Sequence, residues 1–123
     1  MRTISIILAI LILLWIIAKD AKAEIYDAEE IVNAIYIAEG GEEAKKPFGI
    51  LSVSCNGYKE CKEICYNTVV NNFDRWQLWG HKTHKDYLSF LASRYAPVGA
   101  ENDPTGLNKH WLNNVKSIIR SKR

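Results

Sequence analysis

The chain has 123 residues, enough for one domain and too few for two. Sixteen Lys and Arg stand against fourteen Asp and Glu for a net charge of +2, and that surplus sits near the start, at Arg2, Lys19 and Lys22. The near-neutral remainder gives no support to nucleic acid as a partner, since that role needs a basic surface.

The first 23 residues read as a leader. Met1 and Arg2 give a positive start, residues 6–18 are an unbroken apolar run, and Ala21-Lys22-Ala23 is a small-x-small pattern. This is the three-part layout of a secretory signal peptide, with cleavage expected after Ala23. The run is shorter than the roughly 20 apolar residues of a spanning helix, so membrane contact is expected only through an uncleaved leader. The domain is then 24–123, exported to the periplasm or the extracellular space.

Four helical segments follow. From Ile25 to Glu39, Ala28, Ile31, Val32, Ile35 and Ala38 recur at three- and four-residue spacing, with Glu29 and Glu30 on the wet side and Gly40-Gly41 as the stop. Residues 47–53, after Pro47, read as a short extended segment or tight turn, and residues 54–59 as a turn around Asn56-Gly57. A long helix over about 58–78 carries the stripe Cys61, Ile64, Cys65, Thr68, Val69, Phe73 and Trp76. Residues 85–96 form a third helix stopped by Pro97, and 98–106 a loop. Residues 107–120 close the chain as a helix with Leu107, Trp111, Val115, Ile118 and Ile119 inward. The fold class is mainly α. Charge is uneven along it: residues 24–43 carry acids and no base, residues 104–123 bases and no acid. Two solvated helix faces account for that.

Cys55, Cys61 and Cys65 fall close together. Under oxidising conditions pairing is expected, and because Cys61 and Cys65 share a helix face, Cys55 can bridge to either, leaving one thiol over. No His accompanies them at zinc spacing, and His81 and His84 lack a third ligand, so no metal is assigned.

Glu39 is the residue that invites a chemical reading. It follows Ile35 by four and so extends the apolar stripe. It also ends its helix, where unpaired carbonyls disfavour negative charge. Burial and the wrong end of a dipole both raise a carboxyl pKa, and a carboxylic acid kept protonated near neutrality is what glycosidic bond cleavage asks of a general acid.

Residues 34–53, AIYIAEGGEEAKKPFGILSV, resemble the first motif of the lysozyme-like lytic transglycosylases and goose-type lysozymes, in which a helix ends in the catalytic glutamate and a Gly-Leu-Met-Gln-like turn follows. Glu39 matches the glutamate and Gly49-Ile50-Leu51-Ser52 the turn. Residues 64–72 resemble the helix that brings an asparagine to the cleft, 90–97 the segment with a cleft tyrosine, and 99–115 the closing loop and helix. Gly40 stands where the family usually has serine, and Ser52 where it has glutamine.

The resemblance implies an exported enzyme that cleaves the MurNAc–GlcNAc β-1,4 bond of peptidoglycan glycan strands with Glu39 as its single acid and base, and with no cofactor. Ser52, Asn67, Tyr95 and Asn102 are the implied substrate contacts, with Asn71 and Asn72 as further amide candidates. Asp103, Glu101 and Asp86 are the available second carboxylates, and Asp103-Pro104 also reads as plain turn chemistry. The alternative is a non-enzymatic exported protein of the same fold that binds glycan or a protein partner.

Overall fold

The computed structural model describes residues 2–20 and 26–123, so the expected cleavage point after Ala23 and the expected helix start at Ile25 lie outside the described residues. Helix α1 (Arg2–Asp20) covers most of the segment expected to be a leader, and its apolar side chains from Ile4 to Ile12 are exposed. Among the described residues, no helix is long and apolar enough to cross a membrane.

Helix α2 (Ala28–Ala38) begins after Asp27, whose extended backbone presents its carbonyl to the Ile31 N–H at 3.1 Å. Ile31, Val32, Ala34 and Ile35 are buried while Glu29 and Asn33 face water, as the 3.6-residue period requires. This helix packs between α3 (Gly57–Leu78) and α5 (Trp111–Lys122), and α4 (Tyr87–Tyr95) closes against both of those. Among the described residues the structure is helical and contains no strand, which makes the domain mainly α.

The core forms where the three packed faces meet: Ile31, Val32 and Ile35 from α2, Cys61, Cys65 and Val69 from α3, and Val115 and Ile119 from α5. Each large aliphatic side chain removed from water there contributes about 1.5–3 kcal/mol. Leu88 and Leu91 bring α4 into the same core, and the Tyr87 hydroxyl donates to the Val69 carbonyl at 2.6 Å, tying α4 to α3. The uneven charge turns out to be partly paired: Arg123 at the end of α5 donates to Glu30 near the start of α2 at 2.7 Å, and Lys62 lies 3.2 Å from Glu29.

Two expectations are corrected, at Leu107 and Phe73, and two alternatives left open are decided, at residues 47–49 and at Cys55. Leu107 is 66% exposed, because residues 107–110 form a 3-10 turn whose tighter winding takes Leu107 off the face that Trp111 presents. Phe73 is at the rim of the α3 stripe, 40% exposed, with its inner edge against the Tyr87 ring at 5.1 Å. Residues 47–49 are a 3-10 turn, and within it Phe48 adopts φ +61°, rare for a residue with a side chain. That backbone costs roughly 1–3 kcal/mol, but the ring is fully buried and packs 5.1 Å from Tyr36. Burying a phenylalanine returns a comparable amount, about 1.5–3 kcal/mol. Of the two pairings open to Cys55, the structure has Cys55–Cys61, with Cα atoms 5.2 Å apart, leaving Cys65 as a buried thiol.

Candidate active site

Glu39 sits at the C-cap of α2, where its N–H still bonds to the Ile35 carbonyl at 2.9 Å. Gly40 then takes φ +108°, a conformation open to glycine, and the chain leaves the helix axis at once. The result aims the carboxyl group across the end of the helix.

A closed circuit of contacts fixes that carboxyl. The Trp111 indole N–H, from the first turn of α5, donates to Glu39 Oε1 at 2.9 Å. The Trp111 ring stacks on Tyr95 from the end of α4, with centroids 5.3 Å apart and planes inclined by 24°. The Tyr95 hydroxyl donates to the backbone carbonyl of Phe48. The next residue, Gly49, lies against the carboxyl itself: a Cβ built there would sit 2.6 Å from the Glu39 carboxyl carbon. Each member therefore holds the next, and the strained Phe48 turn is the piece that presses Gly49 under the acid.

Burial raises the Glu39 pKa above its ordinary value, and the Trp111 N–H, which favours the ionised form, offsets this only in part. Burial also raises the Tyr95 hydroxyl, keeping it a donor to Phe48, and pushes the Cys65 thiol, 3.6 Å from the Tyr95 oxygen, up to about 11. A buried protonated thiol is inert.

Two depressions adjoin here. One, of about 310 Å³, is lined by Glu39, Lys45, Lys46 and Asn108; the other, of about 240 Å³, by Ser52, Ile64, Thr68 and Arg94. Gly49, Leu51, Tyr95 and Asn102 line both, so the two form one groove with Glu39 at one end and Arg94 at the other. Glu39 is the one carboxylate that lines it among the described residues. A larger depression of about 600 Å³, between Tyr36, Pro47 and Tyr58, carries only the exposed Glu42 as an acid and no buried titratable group. The smaller groove is therefore the one that presents a half-buried acid.

Of the residues singled out from sequence, Glu39, Ser52, Tyr95 and Asn102 line the groove. Asn67 does not: it is exposed on α3, and the face of that helix turned to the groove is carried by Ile64 and Thr68. The Tyr95 hydroxyl meets the Phe48 carbonyl and not the acid. Asp103 is buried, with Oδ2 accepting from the Gly99 N–H at 3.1 Å and the Asn108 N–H at 3.2 Å, a clamp on the loop before α5. Asp86 caps α4 by accepting from the Ser89 N–H at 3.0 Å, and Glu101 is exposed. The His81 ring lies 3.0 Å from the Trp76 carbonyl and the His84 ring 2.9 Å from the Thr83 hydroxyl, each with its own local partner.

Sequence reasoning missed Trp111 as a site residue. It falls on the apolar stripe of its helix, and nothing in that stripe marks a polar edge turned to an acid. Lys45, Lys46 and Arg94 carried no local signal either. Comparison of the chain with models of protein families, with curated proteins and with solved structures finds no match.

Proposed function

We propose that the chain cleaves the glycan strand of peptidoglycan between N-acetylmuramic acid and N-acetylglucosamine, using Glu39 as the sole acid and base. The observation that carries this reading is a single half-buried carboxyl group of raised pKa, held by an indole N–H at one end of a groove. The arrangement of this glutamate at a helix end, followed by the 49–52 turn, is also the feature in which the chain resembles the lysozyme-like lytic transglycosylases.

Protonated Glu39 gives its proton to the oxygen between the two sugars as the C–O bond breaks. The resulting carboxylate then takes a proton from the nucleophile that attacks the sugar carbon. With the sugar's own 6-hydroxyl as nucleophile the product is an anhydro sugar; with water it is a reducing end. Enzymes that use two carboxylates hold them about 5–9.5 Å apart across the scissile bond. Asp103 is engaged by two backbone N–H groups and neither Asp86 nor Glu101 lines the groove, which supports the one-acid route.

Export fits the same reading. The described core contains no residue of α1, and the apolar side chains from Ile4 to Ile12 stay outside it. The Cys55–Cys61 bridge suits an oxidising compartment.

The test is to express the full chain, purify the product and incubate it with isolated peptidoglycan, then weigh the soluble fragments by mass spectrometry. Anhydromuropeptides identify a transglycosylase, and fragments heavier by one water a hydrolase. Folded, oxidised protein that sediments with peptidoglycan but releases nothing replaces this reading with a glycan-binding scaffold.

A further inference from the structure

At the end of the groove away from Glu39, Arg94 lines the wall and shares one neutral oxygen, Asn72 Oδ1, with the exposed Arg75 behind it. Asn72 on α3 is 3% exposed, and its side-chain amide donates to the Thr68 carbonyl at 2.9 Å, which fixes the amide's orientation. Its Oδ1 then accepts from Arg94 Nε at 2.7 Å and from Arg75 Nη1 at 3.3 Å. Neither arginine has a carboxylate partner among the described residues.

Two like charges gathered on one acceptor repel each other, and an anion between them relieves that repulsion. Arg94 is also held from the side, with its guanidinium 5.9 Å from the ring centroids of both Trp79 and Phe90. Because Nε is committed to Asn72, the terminal nitrogens are the donors left to meet a ligand, in the fork that suits an oxyanion. Arg94 lines the groove there with Thr68 and Ser52, while Lys45 and Lys46 line it beside Glu39. The groove thus carries three basic side chains and one acid, a polarity with no use for an uncharged sugar polymer.

We propose that Arg94 and Arg75 form an oxyanion-binding subsite, positioned by Asn72, that takes an anionic substituent of the glycan strand cleaved at Glu39. This rests on the peptidoglycan-cleaving reading above. A carboxylate of the peptide stem and a phosphate of a wall-attached polymer present the same chemistry to a guanidinium fork, and the substrates of the test separate them.

The experiment measures kcat/KM of the full-chain product on three strand preparations: intact, freed of peptide by an amidase, and freed of phosphate polymers. Wild type is compared with Arg94→Gln, Arg75→Gln and Arg94→Lys, each checked for an unchanged melting curve. In Arg94→Gln the preference for intact over stripped strands falls about tenfold, the worth of one charge-assisted hydrogen bond. Arg75→Gln loses part of the preference, and Arg94→Lys, which keeps the charge without the fork, falls between. Peptide removal abolishing wild-type preference names a carboxylate; phosphate removal doing so names a phosphate. Equal losses on all three preparations mean a structural role and overturn the subsite. Variants that keep the wild-type preference overturn it too, while cleavage itself stands. A wild type that cleaves none of the preparations defeats the glycan-cleaving reading and the subsite with it.

Discussion

Glu39 after α2 and Asp103 in the loop before α5 are both drawn in from the surface, and their surroundings are opposite. Asp103 receives two backbone N–H groups on one oxygen and is spent on holding residues 99 and 108 together. Glu39 receives one side-chain N–H and otherwise faces a glycine and open groove. A carboxyl met by two backbone donors staples the chain; one that is desolvated with a single donor holds its proton more tightly than an exposed carboxyl does. Burial alone does not make a catalytic acid. The number of donors does, and so does what lies on the remaining side.

The contrast breaks most visibly at Glu39 itself. Glu39→Gln keeps the shape and the Trp111 contact and removes the proton, so release of soluble muropeptides drops by about 10²–10⁴-fold with the melting temperature nearly unchanged. A retained rate moves the chemistry to another residue. Next comes Gly49→Ala. Its backbone has φ +66° and its new Cβ meets the carboxyl, so the acid is displaced. Activity falls roughly 10–10²-fold and urea unfolding shows a loss of about 1–2 kcal/mol.

On the other side of the comparison, Asp103→Ala leaves the Gly99 and Asn108 N–H groups without their acceptor. Stability falls by about 1–3 kcal/mol in denaturant titration, and activity per folded molecule changes less than in either variant above. Trp111→Phe removes the donor that favours ionised Glu39. Its pKa rises further, so the alkaline limb of the pH–rate profile moves to higher pH, a shift read by assaying release across pH 5–9. The smallest effect is in stability against pH. The folded-state pKa of Glu39 lies above its ordinary 4.5, so the folded form binds the proton more tightly than the unfolded one. That contribution is whole below 4.5 and is lost as pH rises through the raised value. Glu39→Gln lacks this slope, and chemical denaturation of the two proteins at stepped pH shows it as a difference.

Much of the architecture was legible in the sequence because it is periodic. The α3 stripe ran from Cys61 to Trp76 and the observed helix spans Gly57–Leu78; the Gly40 stop and the Pro97 break fell where the helices end. Glu39 was legible for the same reason, since four residues beyond Ile35 must fall on its face. What periodicity misses is phase and partnership. Leu107 was misplaced because a 3-10 turn advances the chain by a different angle from the α-helix that its pattern suggested. Asn67 was misplaced because a stripe says which side is core and not which edge is groove. Trp111 was hidden because its partner is 72 residues away. In Pro47-Phe48-Gly49 the glycine was the natural place for a left-handed residue, and nothing local announced that Phe48 takes one as well.

That separation of Glu39 from Trp111 also sets a clock. A ribosome adds about 5–20 residues per second, so Trp111 emerges roughly four to fourteen seconds after Glu39. Through that interval the nascent chain carries the glutamate but not the indole, nor the stacked tyrosine fixed by it. Long-range closures of this kind form late, after their loop entropy has been met. The contact between Glu39 and Trp111 is consequently among the last that the chain can make.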